Sequence, residues 1–199
     1  MTENQAREDI AFIRRAIEDG RDYASARSPD MIVWGVAVAA GYLGSYAFQR
    51  GWSPLSPQWL WPLCIGLAWI YSLRGVLKRI GAPLGARNPM TAALRMLWLG
   101  CGVFLTTLGI AAGWSGDIRQ GWFNAVVAGV LGIGFFGTAR LVNLPWLRWV
   151  AISWWLGELA LFALRHRIEA PVLAAVLMLL LQAGPGLVLL TRPAARTGA

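Results

Sequence analysis

One acid, Glu158, lies inside an apolar stretch of this chain, near the middle of Pro145–Leu164, and no other acid shares that depth. A charged side chain at the centre of a bilayer costs on the order of 2.5–3.5 kcal/mol on insertion scales, so the neutral acid is the cheaper form. A carboxyl placed between its two forms can take up and release a proton during a conformational cycle. The structural alternative is a protonated Glu158 bonded to another span, with Gln182 as the natural partner. Arg165 lies seven residues on, two turns away on the same helix face, too far for an easy direct pair.

Gln182 belongs to a second feature. Together with Gly184, Pro185 and Gly186 it sits within the apolar run Ala170–Leu190. Proline removes a backbone donor and clashes with the preceding turn, and flanking glycines ease the break. Many transporter sites place a broken helix near the bilayer midplane. A plain proline kink is the commoner reading, since proline and glycine are frequent in membrane helices.

Other chemistries find no residues to carry them. The single histidine, His166, stands between Arg165 and Arg167, so one chain cannot supply a bis-histidine haem or a metal cluster. The single lysine, Lys78, falls between apolar runs and offers no buried amine for a Schiff base. Cys64 and Cys101 lie within apolar runs and read as small hydrophobes. Walker, HExxH and GxSxG motifs are absent, as is an Asp/His pair within a span. No enzyme, no cofactor and no metal site is expected.

The elements that must position Glu158 and Gln182 are membrane helices. The chain is 57% hydrophobic and 14% charged with mean hydropathy +0.52, against about a quarter charged in a soluble domain. Six apolar runs are about long enough to cross a bilayer: Met31–Gln49, Pro57–Leu77, Ala92–Trp114, Arg119–Thr138, Pro145–Leu164 and Ala170–Leu190. Period-two alternation is absent, so each is expected to be a helix. The expected fold is an all-α membrane protein of six transmembrane helices.

The net charge of +8 is a topology signal and does not point to nucleic acid. Arg74, Lys78, Arg79, Arg87 and Arg95 crowd one connection, whereas Arg50 and Arg119 stand alone in the connections on either side. Fourteen of the eighteen basic residues fall on one side of the membrane if the N-terminus is inside. Short loops with that bias face the cytoplasm, which gives an N-in, C-in arrangement. The first thirty residues are charge-rich and lack the apolar core of a cleavable signal, so the first span is expected to direct its own insertion. One lysine against seventeen arginines, with abundant Ala and Gly, suggests a bacterial inner membrane.

Three divisions follow: residues 1–30, a cytoplasmic amphipathic helix and linker; residues 31–191, the six-helix domain; and residues 192–199, a short cytoplasmic tail. In the first, Ile10, Ile13 and Ile17 share one helix face, with Ala6 one turn earlier and mixed charges elsewhere. The polar face is not dominated by Lys and Arg, as a membrane-surface helix would require. The stripe suits docking of residues 3–22 against the inner loops or a cytoplasmic protein partner. A solvated leader is the equal alternative. The connection 78–91, with Gly81, Pro83, Gly85 and Pro89, is expected to be irregular.

An internal repeat is suggested by Trp34-Gly-Val-Ala-Val-Ala-Ala-Gly41-Tyr-Leu43-Gly44 and Trp122-Phe-Asn-Ala-Val-Val-Ala-Gly129-Val-Leu131-Gly132, which agree at seven of eleven positions. At the same offset of 88, Pro57 and Trp61 fall on Pro145 and Trp149. Three spans per half would make an inverted repeat of the transporter kind. The third and sixth spans do not follow the pattern, and composition alone makes apolar segments resemble one another.

Small residues at helical spacing (Gly41 with Ser45, Ala125 with Gly129, Ala128 with Gly132, Ser153 with Gly157) should allow close helix packing, within the bundle or between copies in a homo-oligomer. Of twelve tryptophans, Trp52, Trp59, Trp61, Trp114 and Trp122 fall where an aromatic belt would lie. Trp69, Trp98, Trp154 and Trp155 are deeper; packing is their better reading, against a pocket for a flat apolar ligand.

The run Asp9-Ile-Ala-Phe-Ile-Arg-Arg-Ala-Ile-Glu-Asp-Gly-Arg21, followed by Trp34-Gly35 at the opening of a span, resembles small bacterial multi-pass inner-membrane proteins of uncharacterised function. The resemblance covers about residues 1–44 and implies no activity. Two functions remain: a small transporter- or channel-like protein, proton-linked through Glu158, or a non-enzymatic accessory or signalling subunit docked through its N-terminal helix.

Overall fold

Apolar segments form helices here because backbone groups away from water must pair within their own segment. The computed structural model describes residues 3–80, 89–116 and 121–191, and every element among them is helical. The order is α1 (Glu3–Ala26), α2 (Ser28–Gln49), α3 (Pro57–Ile80), α4 (Pro89–Ser115), α5 (Trp122–Leu141), α6 (Leu147–Ala163), α7 (Ala170–Leu177) and α8 (Gly184–Thr191), with a π turn at Met178–Ala183 joining the last two. The expected start of the fourth span at Arg119, Gly81, Pro83 and Gly85 of the expected irregular connection, and the tail 192–199 lie outside the described residues.

Among the described residues, four segments are long and apolar enough to cross a membrane: Asp9–Gln49, Met90–Ser115, Trp122–Leu141 and Ala170–Thr191. The described residues are all-helical, and by length and composition these four segments fit a membrane protein, where six spans were expected. Helix α6 has 17 residues, about 26 Å at 1.5 Å per residue, short of a hydrocarbon core of about 30 Å. Helix α3 dilutes its apolar residues with Gln58, Pro62, Ser72 and Arg74.

Helices α2 and α3, α4 and α5, and α5 and α6 run antiparallel, as their side-chain pairings show, whereas α1 runs on into α2 and α7 into α8. Trp34 meets Ser72 and Trp61 meets Ser45 between α2 and α3. Trp98 meets Thr138 between α4 and α5. Between α5 and α6, Gly129 faces Glu158 and Gly132 faces Trp155. The final span returns along α2: a methyl group on Gly35 would lie 2.8 Å from Ala183 N, and one on Gly186 would lie 2.9 Å from Ser28 O. The two backbones cross with no room for side chains, which is the use of small residues between membrane helices. The small pairs read from the sequence pack inside the bundle in the same way: Gly41 takes the Trp61 ring, and Gly157 takes Leu177.

The core is built on α5 and α6. Phe135, Leu147, Trp154 and Leu161 are fully buried there with Ala128 and Ala151. Gly121 opens α5 at φ +76°, and a methyl group there would run into Arg165 O, so only glycine fits where the start of α5 meets the end of α6.

The expected linker between α1 and α2 is a single residue, Arg27, and α2 begins at Ser28 with Pro29 in its first turn. The suggested repeat does not extend to packing. Trp61 is bonded to Ser45, whereas Trp149, its counterpart at the same offset, is 70% exposed.

Candidate functional site

Glu158 is half-buried on α6, with its carboxyl laid against α5 at Gly129; a methyl group on Gly129 would stand 2.9 Å from both carboxyl oxygens. Val126, Gly129, Val130, Ile133, Trp155 and Glu158 line a shallow, largely open groove of about 250 Å³. The groove exists because Gly129 has no side chain and Trp155 leans across Gly132, its Nε1 making a long bond to Gly129 O at 3.4 Å. No hydrogen bond or ion pair reaches Glu158 among the described residues.

The expected bond between Glu158 and Gln182 is not formed. Gln182 is 5% exposed in the π turn, and its Oε1 has no partner. The break predicted at Gly184–Gly186 is instead a widened turn just before it, over Met178–Ala183. Pro185 has no N–H for the carbonyl one turn back, Leu181 O. Trp154 Nε1 supplies the missing donor from α6 at 3.3 Å. Pro185 and Gly186 are buried, and Gly186 closes on Ser28 and Ile32 of α2, whereas Gly184 is partly buried and meets only Leu179 O of its own segment at 3.6 Å.

Four hydroxyls of the spans are already engaged. Trp34 Nε1 donates to Ser72 Oγ (3.0 Å), Trp61 Nε1 to Ser45 Oγ (3.1 Å), Trp69 Nε1 to Thr106 Oγ1 (3.3 Å) and Trp98 Nε1 to Thr138 Oγ1 (3.0 Å). Each indole bonds a hydroxyl on a neighbouring helix, so Trp69 and Trp98 are packing tethers and not the walls of a ligand pocket. Trp52, Trp59 and Trp114 are exposed, as an aromatic belt would require. Trp61 instead turns inward onto Tyr42 and Gly41.

The N-terminal helix divides into two halves. In its second half Gly20 packs on Met90 and Val142, and Ala24 is buried with Leu94 and Val142. Arg21 fixes this docking by donating from Nε to Val142 O and from Nη2 to Asn143 O, both at 2.9 Å, at the open C-terminal end of α5. The stripe then runs past the bundle: Ile17 is half-buried, but Ile10 and Ile13 are 66% and 56% exposed, with Phe12 also exposed.

Two residues with no specific partner expected from sequence have one in the structure. Asp30 pairs with Arg27 at 2.8 Å and accepts from Ser72 Oγ at 3.3 Å, tying the start of α2 to α3. The signal was Arg27 three residues earlier, ahead of the helix-starting Pro29. Trp154 was visible only as a deep aromatic, yet Pro185 implied that some outside donor must serve Leu181 O.

The chain matches no known family model, no curated protein and no solved structure. What the groove and the overhanging helix do follows from their own chemistry.

Proposed function

We propose that this is a small integral membrane protein of six spans, N-in and C-in, in a bacterial inner membrane. Its function is transporter- or channel-like for a small solute or ion, and proton-linked through Glu158. The observation that carries this is a carboxyl with no donor, set in an apolar groove of a membrane bundle. Such a group is expensive to keep and is retained where protonation changes are used. The orientation is supported by Arg27, Arg74, Arg95, Arg140 and Arg148, which stand at or near the helix ends on one side of the antiparallel bundle. Since Ser45, Ser72, Thr106 and Thr138 are held by indoles, the solute path runs along the Glu158 groove, with a second copy as its other wall.

A second reading is a non-enzymatic accessory or signalling subunit. It is favoured by Ile10 and Ile13, which overhang a helix that Arg21 holds in place, and would use residues 3–22 to dock a cytoplasmic protein. Liposomes containing the protein separate the two. Solute-driven proton movement should be lost in Glu158→Gln and retained when residues 1–16 are deleted. If Glu158→Gln is silent while that deletion abolishes the cellular phenotype, the docking role takes its place.

A further inference from the structure

We infer that the Glu158 groove binds a lipophilic organic monocation in exchange for the Glu158 proton. This rests on the proton-linked reading above and names the substrate class. An ionised Glu158 repels anions and leaves a negative charge without a partner, because none of the other five lining residues is charged or titratable. The titratable groups on the packed elements are remote in sequence: Arg140 on α5 is eleven residues from Gly129, and Arg148 on α6 is ten residues from Glu158. The remaining groups, Arg165, His166, Arg167 and Glu169, lie beyond the end of α6.

Hard metal ions do not suit the groove. They take about six or more oxygens, whereas here Glu158 supplies two and the neighbouring carbonyl, Gly129 O, already accepts from Trp155 Nε1. Among the described residues no three His, Cys, Asp or Glu converge on a metal. A cation that carries its own apolar shell needs no such oxygens. Its alkyl arms meet Val126, Val130 and Ile133, and its charge meets the carboxylate, with the Trp155 ring beside it. The open side of the groove admits it. The exchange balances: the neutral acid and the cation give the carboxylate–cation pair and one released proton, with no other co-reactant.

The test uses the full chain in lipid nanodiscs with tetrapropylammonium as the probe. Calorimetry should show saturable binding that strengthens as pH rises, with about one proton released per cation in weak buffer. Glu158→Gln should weaken binding by at least about tenfold and abolish proton release, whereas Glu158→Asp, which keeps the charge, should retain both in part. Infrared titration of the carboxyl band, assigned by its loss in Glu158→Gln, separates the two levels. A Glu158 that titrates while tetrapropylammonium fails to bind, or binds equally well to Glu158→Gln, overturns this inference and leaves the proton site standing. A Glu158 that does not titrate between pH 4 and 10 (about the span of ordinary side-chain values) overturns both.

Discussion

Trp154 Nε1 donates to Leu181 O at 3.3 Å, across from α6 to the carbonyl that Pro185 cannot serve. A proline break in the last span is thus answered by an indole on its neighbour. Trp154 is fully buried, so the bond is made away from solvent and has no easy replacement.

The two residues should therefore be coupled. Trp154→Phe removes the donor and should destabilise the bundle by about 1–3 kcal/mol, measured by unfolding in mixed micelles. In a Pro185→Ala background the new N–H can bond Leu181 O, so the same change should cost about 0.5–1 kcal/mol less. Additive losses would mean that the indole is held there by packing alone.

The crossing of α2 with the final span depends on two missing side chains. Gly35→Ala and Gly186→Ala each press a methyl group onto backbone or neighbouring side-chain atoms closer than 3 Å, at about 1–3 kcal/mol each. Gly66→Ala and Gly100→Ala meet nothing within 4 Å and should stay within about 0.5 kcal/mol of the parent. Equal effects at all four positions would show that close approach does not set the cost, because helix propensity by itself favours Ala over Gly at each of them.

Gln182 carries an unpaired amide oxygen in the π turn. Gln182→Met keeps the length of the side chain and removes the orphan, so stability should rise by about 1–2 kcal/mol. A loss of stability instead would place a hydrogen-bond donor beside Gln182 in the native bundle.

Docking of α1 rests on Arg21 capping the end of α5. Arg21→Ala should loosen that helix by about 1–2 kcal/mol, seen as faster hydrogen exchange and proteolysis between residues 3 and 26 with the spans unchanged. Arg14→Ala breaks only the exposed pair with Glu18 and should move neither by more than about 0.5 kcal/mol. Equal sensitivity at both positions would place the anchor of α1 elsewhere.

Composition and spacing alone determined the helical class, the positions of the apolar runs, the amphipathic N-terminal helix and the two singular places, Glu158 and the Pro185 segment. Those properties are local: a helix period, a charge count and a missing donor are written in consecutive residues. Which residues meet was decided by tertiary structure. Nothing in the spacing says that Gly129, twenty-nine residues before Glu158, makes its groove, or that Gln182 points into the core away from any donor. The hydroxyls of Ser45, Ser72, Thr106 and Thr138 were assigned to indoles only when the helices packed, because each indole needs an acceptor and the one it takes lies on another helix. The halves of α1 look alike in sequence, and only the position of Val142 and Asn143 determines where docking stops and the free stripe of Ile10 and Ile13 begins.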